Sequence, residues 1–355
     1  MESVWVNLDK NSYPIFIGKN FLEGLKDCID KKEKYMVITD ENVNRLYGKR
    51  IETGLPEHSL HKYVLKPGEE SKTLDMVEKI IACMIEQGFT RNDKIIALGG
   101  GVVGDIAGFC ASIYMRGIDF IQVPTTLLAQ VDSSVGGKTG VNMPQGKNLV
   151  GTFYQPNCVI VDTSVLGTLS SRELLNGLGE MIKYGLIADN ILFEDLKMNI
   201  ERVWEIDVLW LQRIIKQCCS IKARIVTQDE REGGLRKILN YGHTIGHALE
   251  AITEYKKYAH GEAVLIGMYH EAIMAKKLGW IEENVLKEIT ACIESLPVNV
   301  DISLFSIEKI INVMSRDKKN QSNKISFILP IGRGRVKEHL ISKEDVKKML
   351  TGRMD

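Results

Sequence analysis

Three histidines lie close together in the segment LNYGHTIGHALEAITEYKKYAHGEAV, at positions 243, 247 and 260. His243 and His247 are four residues apart, so a helix would place both imidazoles on one face. A catalytic zinc typically keeps three protein ligands, and imidazole is one of the commonest. The motif differs from the H-E-x-x-H of metallopeptidases, because no glutamate follows the first histidine. Spacing leaves three alternatives open: both histidines bind one metal, one binds while the other faces a substrate, or the helix merely carries a polar face.

Other charged residues flank this segment. NGLGEMIKYG offers Glu180 with Lys183 three residues later, a spacing that is most often a surface ion pair. Lys222, Arg236 and Asn240 precede His243, and such donors beside a metal would suit a multiply charged substrate. The alternative is a solvated helix face, and spacing does not establish that Glu180, His243 and His260 meet.

A glycine-rich turn occurs in IIALGGGVVGDIAGF, where Gly99, Gly101 and Gly104 form G-x-G-x-x-G between a predicted strand and a predicted helix. Such glycines let the backbone approach a pyrophosphate at a helix N-terminus, although similar turns also arise for packing. Asp40, at the end of an earlier strand, and the loop PGEESK (67–72) are further candidates for nucleotide contacts. The first half is therefore predicted to bind a nucleotide.

The segment 116–155 is unusually rich in glycine, hydroxyl and lysine residues. Lys138 follows two glycines, and Lys147 with Asn148 follows Gly146. Lysines presented from glycine-rich loops suit anionic ligands, because neighbouring amides and the ammonium act together. Two flexible surface loops with solvated lysines are the alternative interpretation.

The elements that must position these residues follow from hydrophobic periodicity. Short β-rich runs alternate with an amphipathic helix in the first half, which predicts a mostly parallel, Rossmann-like α/β domain over residues 1–170. From about 170 to 295 nearly every window has a helical period, which predicts a mostly α-helical domain over 171–355. The predicted elements are strands at 34–40, 61–67, 93–101, 120–126 and 324–332, and helices at 74–88, 216–228, 243–252, 262–278 and 344–350.

Composition excludes several classes of protein. The chain has 355 residues, with 46 Lys plus Arg against 46 Asp plus Glu, so its charge predicts neither nucleic acid nor a membrane surface as a partner. Seven cysteines without a C-x-x-C pair indicate buried thiols in a reducing compartment. The sequence contains no apolar run of membrane-spanning length and no signal peptide pattern. These features predict a cytoplasmic protein.

Taken together, the motifs resemble those of the 3-dehydroquinate synthases, the shikimate-pathway members of the sugar phosphate cyclases. The resemblance covers nearly the whole chain. It implies a homodimer with an N-terminal NAD domain, a C-terminal helical domain and one zinc, for which cobalt can substitute. The matching segments, in order, are GGGVVGD, YMRG, QVPTTLLAQVDSSVGGKTGVN, GKNLVGTFYQP, GLGEMIKYGLI, EREGGLRKILNYGHTIGHALE, HGEAV and DKKNQSNKISFILP.

The same resemblance implies roles for individual residues. It assigns zinc to Glu180, His243 and His260, and it turns His247 towards the substrate phosphate. Asp132 is implied near the reacting centre, and Arg116 is implied to reach the phosphate across the dimer. The implied NAD contacts are Asp40, Glu69, Lys72, Gly101, Val102, Val103, Gly104, Asp105, Thr125, Thr126, Lys138 and Lys147. The implied carboxylate contacts are Lys222 and Arg236, and the further phosphate contacts are Asn148, Lys183, Asn240 and Lys318.

The reaction that the resemblance implies starts from a phosphorylated sugar acid, 3-deoxy-D-arabino-heptulosonate 7-phosphate. NAD transiently oxidises the C5 hydroxyl while zinc polarises its oxygen, phosphate is eliminated and the hydride returns. Ring opening and an intramolecular aldol closure then give 3-dehydroquinate. Three alternatives are weighed against this one: a sister cyclase acting on glucose 6-phosphate or sedoheptulose 7-phosphate, a metal-dependent NAD polyol dehydrogenase, and a nucleotide-binding protein without catalysis. The substrates of the sister cyclases have no carboxylate for Lys222 and Arg236 to bind, which counts against that alternative.

Overall fold

A computed structural model describes residues 2–22, 33–53, 59–315 and 323–351. Cys28 and Lys318 lie outside the described residues. Two compact units divide the chain: Met1–Ser170 with Glu205–Arg231, called the sheet unit, and Ser171–Trp204 with Glu232–Asp355, called the helical unit. The α/β and helical fold class is confirmed.

Nine strands occur among the described residues of the sheet unit. Seven of them form one sheet in the order β1-β2-β9-β6-β5-β3-β4, and only the β1–β2 pair within it is antiparallel. The strands are β1 (Glu2–Val6), β2 (Tyr13–Gly18), β3 (Tyr35–Asp40), β4 (Leu60–Leu65), β5 (Lys94–Gly99), β6 (Phe120–Pro124), β7 (Lys138–Met143), β8 (Gly146–Phe153) and β9 (Cys158–Asp162).

Twelve α-helices occur among the described residues, and α1, α2, α3 and α7 belong to the sheet unit. The helices are α1 (Glu41–Glu52), α2 (Leu74–Glu86), α3 (Gly101–Ile113), α4 (Ser171–Ala188), α5 (Asn190–Met198), α6 (Glu201–Trp204), α7 (Val208–Gln228), α8 (His243–Ile252), α9 (His260–Lys277), α10 (Glu283–Glu294), α11 (Ile307–Met314) and α12 (Lys343–Thr351).

Both faces of the central sheet are buried. Ile38 of β3 packs in one cluster with Ile80 of α2 and Ile106 of α3. The adjacent residue Val37 points to the opposite face and packs with Ile51 of α1. Successive side chains of a strand alternate in direction, so continuous apolar runs such as residues 35–38 indicate a parallel sheet covered on both sides.

The strand order reverses between β3 and β5. After β3 the chain adds β4 on one side, and then it returns to add β5 and β6 on the other. The connections that leave these two neighbouring strands therefore diverge at their carboxyl ends, which is where open α/β sheets bind ligands. Asp40 ends β3 and Gly99 ends β5, so the two motifs predicted to bind a nucleotide flank this reversal point.

The glycine-rich segment after β6 is ordered differently from the two solvated loops that were the alternative interpretation. Residues 138–153 form an antiparallel hairpin, with Lys138 paired to Phe153. Thr139 and Thr152 hydrogen-bond across it through their hydroxyls, at 2.9 Å. The glycines permit close strand approach, because a Cβ built at Gly151 would lie 2.0 Å from the main-chain oxygen of Thr139.

Helix α7 groups with the sheet unit, although the sequence division at 170/171 places it in the helical half. Its long apolar face includes Leu211, Ile215 and Cys219, and the Cys219 thiol donates to the main-chain oxygen of Gln130 at 3.3 Å. Near the middle of the helix, Lys216 pairs with Glu2 of β1. These contacts join residues 205–231 to the sheet, and the proposal of an NAD domain ending at 170 remains a prediction.

The helical unit contains the remaining helices and a two-stranded antiparallel hairpin, β10 (Lys324–Gly332) with β11 (Arg335–Ser342). Helix α9 contacts α4, α8 and α10. Glycines allow two of these approaches: a Cβ at Gly261 would lie 2.0 Å from the main-chain oxygen of Asn176, and one at Gly267 would lie 1.9 Å from that of Gly242. Side chains larger than hydrogen would separate α9 from α4 and from the start of α8.

Most predicted elements are confirmed within two residues. The predicted helix 216–228 begins earlier, at Val208. The strands β7, β8 and β11 and the helix α11 are among the elements that were not predicted. No helix among the described ranges is both long and apolar enough to cross a membrane.

Candidate active site

Glu180 lies on α4 and is fully buried. One carboxylate oxygen, Oε2, pairs with Lys183 one turn later. The other, Oε1, is buried and accepts no hydrogen bond from the residues that the structure describes. A buried carboxylate oxygen without a donor is costly, so this atom indicates a place for a cation.

Two imidazoles face that oxygen. The Nε2 atom of His243 lies 3.7 Å from Glu180 Oε1, and the Nε2 atom of His260 lies 3.6 Å from it. His243 is the first residue of α8 and His260 is the first residue of α9. The close approach of α4, α8 and α9 therefore brings together three donor atoms from distant parts of the sequence.

The donor set fits one divalent metal ion. The ligand atoms of Glu180, His243 and His260 all lie within 4.8 Å of one another. Ligands about 2.0–2.1 Å from a tetrahedral zinc are separated from one another by roughly 3.4 Å. The observed oxygen-to-nitrogen separations of 3.7 and 3.6 Å are close to this value.

The electrostatic environment differs between the two histidines. Burial, aided by Lys183 and the other two imidazoles, lowers the pKa of His243 well below its usual value, and a neutral imidazole is the form that binds metals. Burial alone would also lower the pKa of His260. The carboxylates of Glu180 and Glu250 outweigh that effect and raise the pKa of His260 to about 10. A metal at this position would displace that proton.

His247 lies one turn after His243 and is exposed. Its ring centroid is 5.1 Å from that of His243 and 5.9 Å from that of His260. The three-residue group around Glu180 does not include His247. Of the alternatives left open by spacing, the geometry favours one in which His243 is a ligand and His247 faces elsewhere.

Two other predicted site residues of the helical unit lie on the segment Leu235–Asn240, which precedes α8. Arg236 is 1% exposed, and burial of a guanidinium is rare unless it is paired. The Nδ2 atom of Asn240 donates to Oε1 of Glu232 at 2.8 Å. Lys183, Arg236 and Asn240 thus belong to the same compact unit as the candidate metal ligands.

Lys222 and Asp132 form a pair in the sheet unit. The Nζ atom of Lys222, on α7, donates to Oδ1 of Asp132 at 2.8 Å. Asp132 lies in a short π-helical turn, Ala129–Ser133. Lys222 and Arg236 are assigned the same carboxylate by the resemblance, but they belong to different units.

The start of α3 is suited to an anion. Gly100 is its N-cap and supplies no side-chain acceptor, while the first-turn amides of a helix have no acceptor within it. The positive end of the helix dipole adds to their attraction for phosphate. Close neighbours restrict the turn: a Cβ at Gly101 would lie 3.0 Å from the hydroxyl oxygen of Ser133.

A polar network surrounds Lys72, which follows the short helical turn Glu69–Ser71. Its Nζ atom lies 2.5 Å from Oδ2 of Asp105 on α3 and 2.5 Å from Oδ1 of Asn148 on β8. Burial raises the pKa of Asp105, and the neighbouring Lys72 counteracts that shift. The structure therefore joins Lys72, Asp105 and Asn148, to which the family resemblance assigns two different ligands.

A second branch of this network involves Glu69. Its Oε1 atom accepts a hydrogen bond from Nδ2 of Asn142 at 2.8 Å and lies 3.6 Å from Nζ of Lys147. The main-chain N–H of Asn142 donates to the main-chain oxygen of Lys72 at 2.8 Å. The hairpin β7–β8 is thereby joined to the turn after β4.

The remaining predicted contacts lie at the same sheet edge or on the surface of the sheet unit. Asp40 caps α1 through hydrogen bonds from the N–H groups of Asn42 and Val43. Thr125 is buried, Thr126 accepts from the N–H of Ala129 at 3.1 Å, and Lys138 is exposed. Arg116 is exposed, with a positive φ of 69°.

Sequence reasoning missed Asn142, Glu250 and Glu271. Glu271 is fully buried on α9 and accepts from the N–H of Gly242 at 2.6 Å, so it caps the start of α8 from another helix. A signal was present for the two acids, since Glu250 and Glu271 interrupt apolar stretches, HALEAI and YHEAIMA. A lone carboxylate at an apolar helix position is buried only with partners.

Two family models cover most of the chain. Residues 62–176 match the model of the 3-dehydroquinate synthase N-terminal domain, and residues 177–320 match that of its C-terminal domain. A 3-dehydroquinate synthase of Alkaliphilus metalliredigens is 53% identical over 350 residues, covering 99% of this chain and 98% of that protein. One of Caldanaerobacter subterraneus subsp. tengcongensis is 48% identical over 355 residues, covering 99% of this chain and all of the relative (100%).

Solved structures extend the comparison. A 2-deoxy-scyllo-inosose synthase complexed with carbaglucose-6-phosphate, NAD+ and Co2+ has a TM-score of 0.89 and 27% identity, covering 99% of this chain and 100% of that one. A 2-epi-5-epi-valiolone synthase from Streptomyces hygroscopicus subsp. jinggangensis, with NAD+ and Zn2+ bound, has a TM-score of 0.89 and 25% identity, covering 98% of each chain. The domain models and the full-length relatives agree, and this chain belongs to the 3-dehydroquinate synthase family.

Proposed function

We propose that the chain converts 3-deoxy-D-arabino-heptulosonate 7-phosphate to 3-dehydroquinate and phosphate, as a carbon–oxygen lyase that needs NAD and one divalent metal. The observation that carries the proposal is the buried Oε1 of Glu180, which faces Nε2 of His243 and of His260 at 3.7 and 3.6 Å. Zinc is the proposed ion, with cobalt as a substitute.

When bound, NAD would accept a hydride from carbon C5 of the sugar and later return it, and the metal would act as a Lewis acid at the oxygen on that carbon. The chain's own residues bind and orient the reactant. Glu180, His243 and His260 are proposed to hold the metal. The turn Gly101–Asp105, with Lys72 and Thr126 beside it, is proposed to hold the cofactor; its support is the uncapped helix start at the strand reversal point. The other proposed cofactor contacts are Asp40, Glu69, Thr125, Lys138 and Lys147.

Cationic and amide groups are proposed to bind the two anionic ends of the substrate. Arg236 and Lys222 are assigned its carboxylate, a role that suits the planar fork of an arginine. Lys183, Asn240, His247, Asn148 and Lys318 are assigned its phosphate, with Arg116 contributed by a second copy of the chain in a homodimer. Asp132 is proposed to lie near the reacting carbon.

This distribution of charge explains how elimination can proceed without a dedicated carboxylate base. Oxidation at C5 acidifies the neighbouring C–H bond, and the departing phosphate, held by cations, is itself able to accept the proton. Lys183 and His247 would then stabilise the negative charge that grows on the leaving group. Electrostatic stabilisation of this kind is commonly the largest part of a rate enhancement.

The test is phosphate release with catalytic amounts of NAD and zinc, using three substrates in parallel: the heptulosonate 7-phosphate, glucose 6-phosphate and sedoheptulose 7-phosphate. Release from the heptulosonate alone, with no lasting absorbance from NADH, is the expected result. Release from another sugar phosphate would move the chain to a sister cyclase activity. Stoichiometric NADH from a polyol without phosphate release would contradict the lyase.

A further inference from the structure

We propose that Glu250 is a positioning residue of the metal site: its carboxylate accepts the Nδ1 hydrogen of His260 and so directs the Nε2 lone pair towards the ion. The inference rests on the proposed function, because it takes Glu180, His243 and His260 as the ligands. It concerns a residue that itself contacts neither the metal nor the substrate.

The location of Glu250 is the first support. It lies on α8, seven residues after His243, so both side chains are on the same face of the helix. Its side chain is 9% exposed, on a stretch whose neighbours Ala248 and Leu249 are buried. A carboxylate is rarely buried to this extent without a partner, so the burial of Glu250 requires a physical cause.

The geometry around His260 supplies that cause. Its Nδ1 atom lies 3.5 Å from Oε2 of Glu250, and its Nε2 atom lies 3.6 Å from Oε1 of Glu180. One imidazole ring thus lies between two carboxylates, with one nitrogen facing each. A neutral imidazole carries a single hydrogen. If Nε2 is to bind a metal, the hydrogen must be on Nδ1, and Glu250 is the acceptor at that nitrogen.

His243 has the same arrangement with a different acceptor. Its Nδ1 atom lies 3.1 Å from the main-chain oxygen of Tyr241, and its Nε2 atom faces Glu180. Both histidines therefore face the carboxylate through Nε2 and contact an oxygen through Nδ1. In metal sites such outer contacts select the tautomer, fix the ring and increase the basicity of the ligating nitrogen.

Glu250 has two alternative roles that experiment can distinguish from this one. Its ligand atoms, with those of His247 and His260, form a second group within 4.8 Å, so Glu250 could instead ligate a second ion. Alternatively, it could serve only the helix end, where its main-chain oxygen accepts from the N–H of Tyr255 at 2.8 Å. That main-chain bond survives any side-chain substitution, so the helix end should persist in the variants below.

The experiment compares Glu250→Met, Glu250→Gln and the control Glu254→Gln in the full-length protein. Glu254 lies four residues later, is exposed and pairs with Lys256. The readouts are the number of Co2+ ions bound per chain, the Co2+ dissociation constant from chelator competition, and the visible absorption spectrum of bound Co2+. Circular dichroism and thermal unfolding report whether each variant is folded.

We expect one ion per wild-type chain. Glu250→Met should bind Co2+ about 10- to 100-fold more weakly, with a changed spectrum, in line with other outer-contact substitutions. Glu250→Gln keeps an acceptor oxygen and should lose less, and Glu254→Gln should match the wild type. If Glu250→Met fails to fold, a partial loss of Co2+ affinity in a folded Glu250→Gln supports the proposal.

The proposal would be overturned if a folded Glu250→Met bound Co2+ with the affinity and the spectrum of the wild type. If Glu250→Met does not fold, a Glu250→Gln with unchanged Co2+ affinity and spectrum would overturn it. Two ions per wild-type chain, with one lost in the Glu250 variants, would make Glu250 a ligand and would also overturn it. A wild-type chain that binds no divalent metal is a separate outcome, because it would contradict the proposed function itself.

Discussion

The Nζ atom of Lys222 lies 2.7 Å from the main-chain oxygen of Asp132 and 2.8 Å from its Oδ1 atom. Lys222 is only 5% exposed, so its ammonium is fixed against the π-helical turn instead of moving through solvent. A charge held in one position loses little conformational entropy when it binds a further anion. This pair is therefore the best place to test recognition of the substrate carboxylate.

Replacing Lys222 with Met should lower kcat/KM for the heptulosonate about 10- to 100-fold, because a hydrogen bond to a charged group contributes roughly 1.5–3 kcal/mol. Steady-state kinetics provide the measurement. Lys216→Met is the matched control, since Lys216 lies on the same helix, has a side chain that is 43% exposed and pairs with Glu2. Equal losses in the two variants would contradict a role at the carboxylate.

Metal content separates the three histidines. His243→Ala and His260→Ala should purify without bound zinc, because each removes one of the three proposed ligands, which are Glu180, His243 and His260. His247→Ala should retain zinc and lose activity, because its ring is not part of that group. Elemental analysis of the purified variants checks this, and a metal-free His247→Ala would contradict the ligand set.

Lys72→Met should weaken NAD binding about 10- to 100-fold. The substitution removes the ammonium that contacts both Asp105 and Asn148 at 2.5 Å, and it leaves a half-buried carboxylate at the helix predicted to face the pyrophosphate. Titration calorimetry with NAD provides the dissociation constant. Lys79→Met on α2 is the control, since Lys79 is exposed and pairs with Asp75 on the same helix. An unchanged dissociation constant in Lys72→Met would place the cofactor elsewhere.

Asp93 gives a pH-dependent prediction for the stability of the sheet. It accepts hydrogen bonds from the N–H of Lys34 at 2.9 Å and from the N–H of Thr90 at 2.6 Å, so it joins the starts of β3 and β5. Burial would raise the pKa of Asp93, but these hydrogen bonds outweigh burial and lower it below its ordinary value. A folded pKa below the unfolded value stabilises the protein above the unfolded pKa, and the effect is lost as the pH falls through the folded pKa.

Asp93→Asn should therefore lower the free energy of unfolding by about 1–3 kcal/mol at pH 7, and the difference should shrink below about pH 4. Urea unfolding at a series of pH values measures it. Asp119→Asn, at an exposed carboxylate of the same unit, should have little effect at any pH. If the change in unfolding free energy caused by Asp93→Asn stayed constant down to about pH 3, the hydrogen bonds to the ionised carboxylate of Asp93 could not be its cause.

Local elements were more predictable than the site. Continuous apolar runs such as residues 35–38 predict buried parallel strands, because only a sheet covered on both faces buries both sets of side chains. The hairpin 138–153 was difficult because its glycines serve close strand approach, which composition does not distinguish from a loop. The start of α8 depends on Gly242 and on Glu271 from another helix, yet its bounds 243–252 were predicted from periodicity.

The cluster around Glu180 was not predictable from spacing. Glu180 and Lys183 have the sequence pattern of a solvated ion pair, but the packing of α4 in the helical unit buries both of them. The three donors come from three helices, and periodicity describes each helix separately. The resemblance to a known family provided that set, and it provided no information about Glu250.

The glycine contacts of α9 have a thermodynamic consequence for metal uptake. Gly261 approaches Asn176 and Gly267 approaches Gly242 through main-chain atoms, so the two helix starts that carry His260 and His243 are immobilised when the unit folds. The conformational entropy of the ligands is then lost in folding and not in metal uptake. One ion should therefore exchange for another without partial unfolding. Gly261→Ala or Gly267→Ala should reduce metal affinity even though neither glycine carries a donor atom.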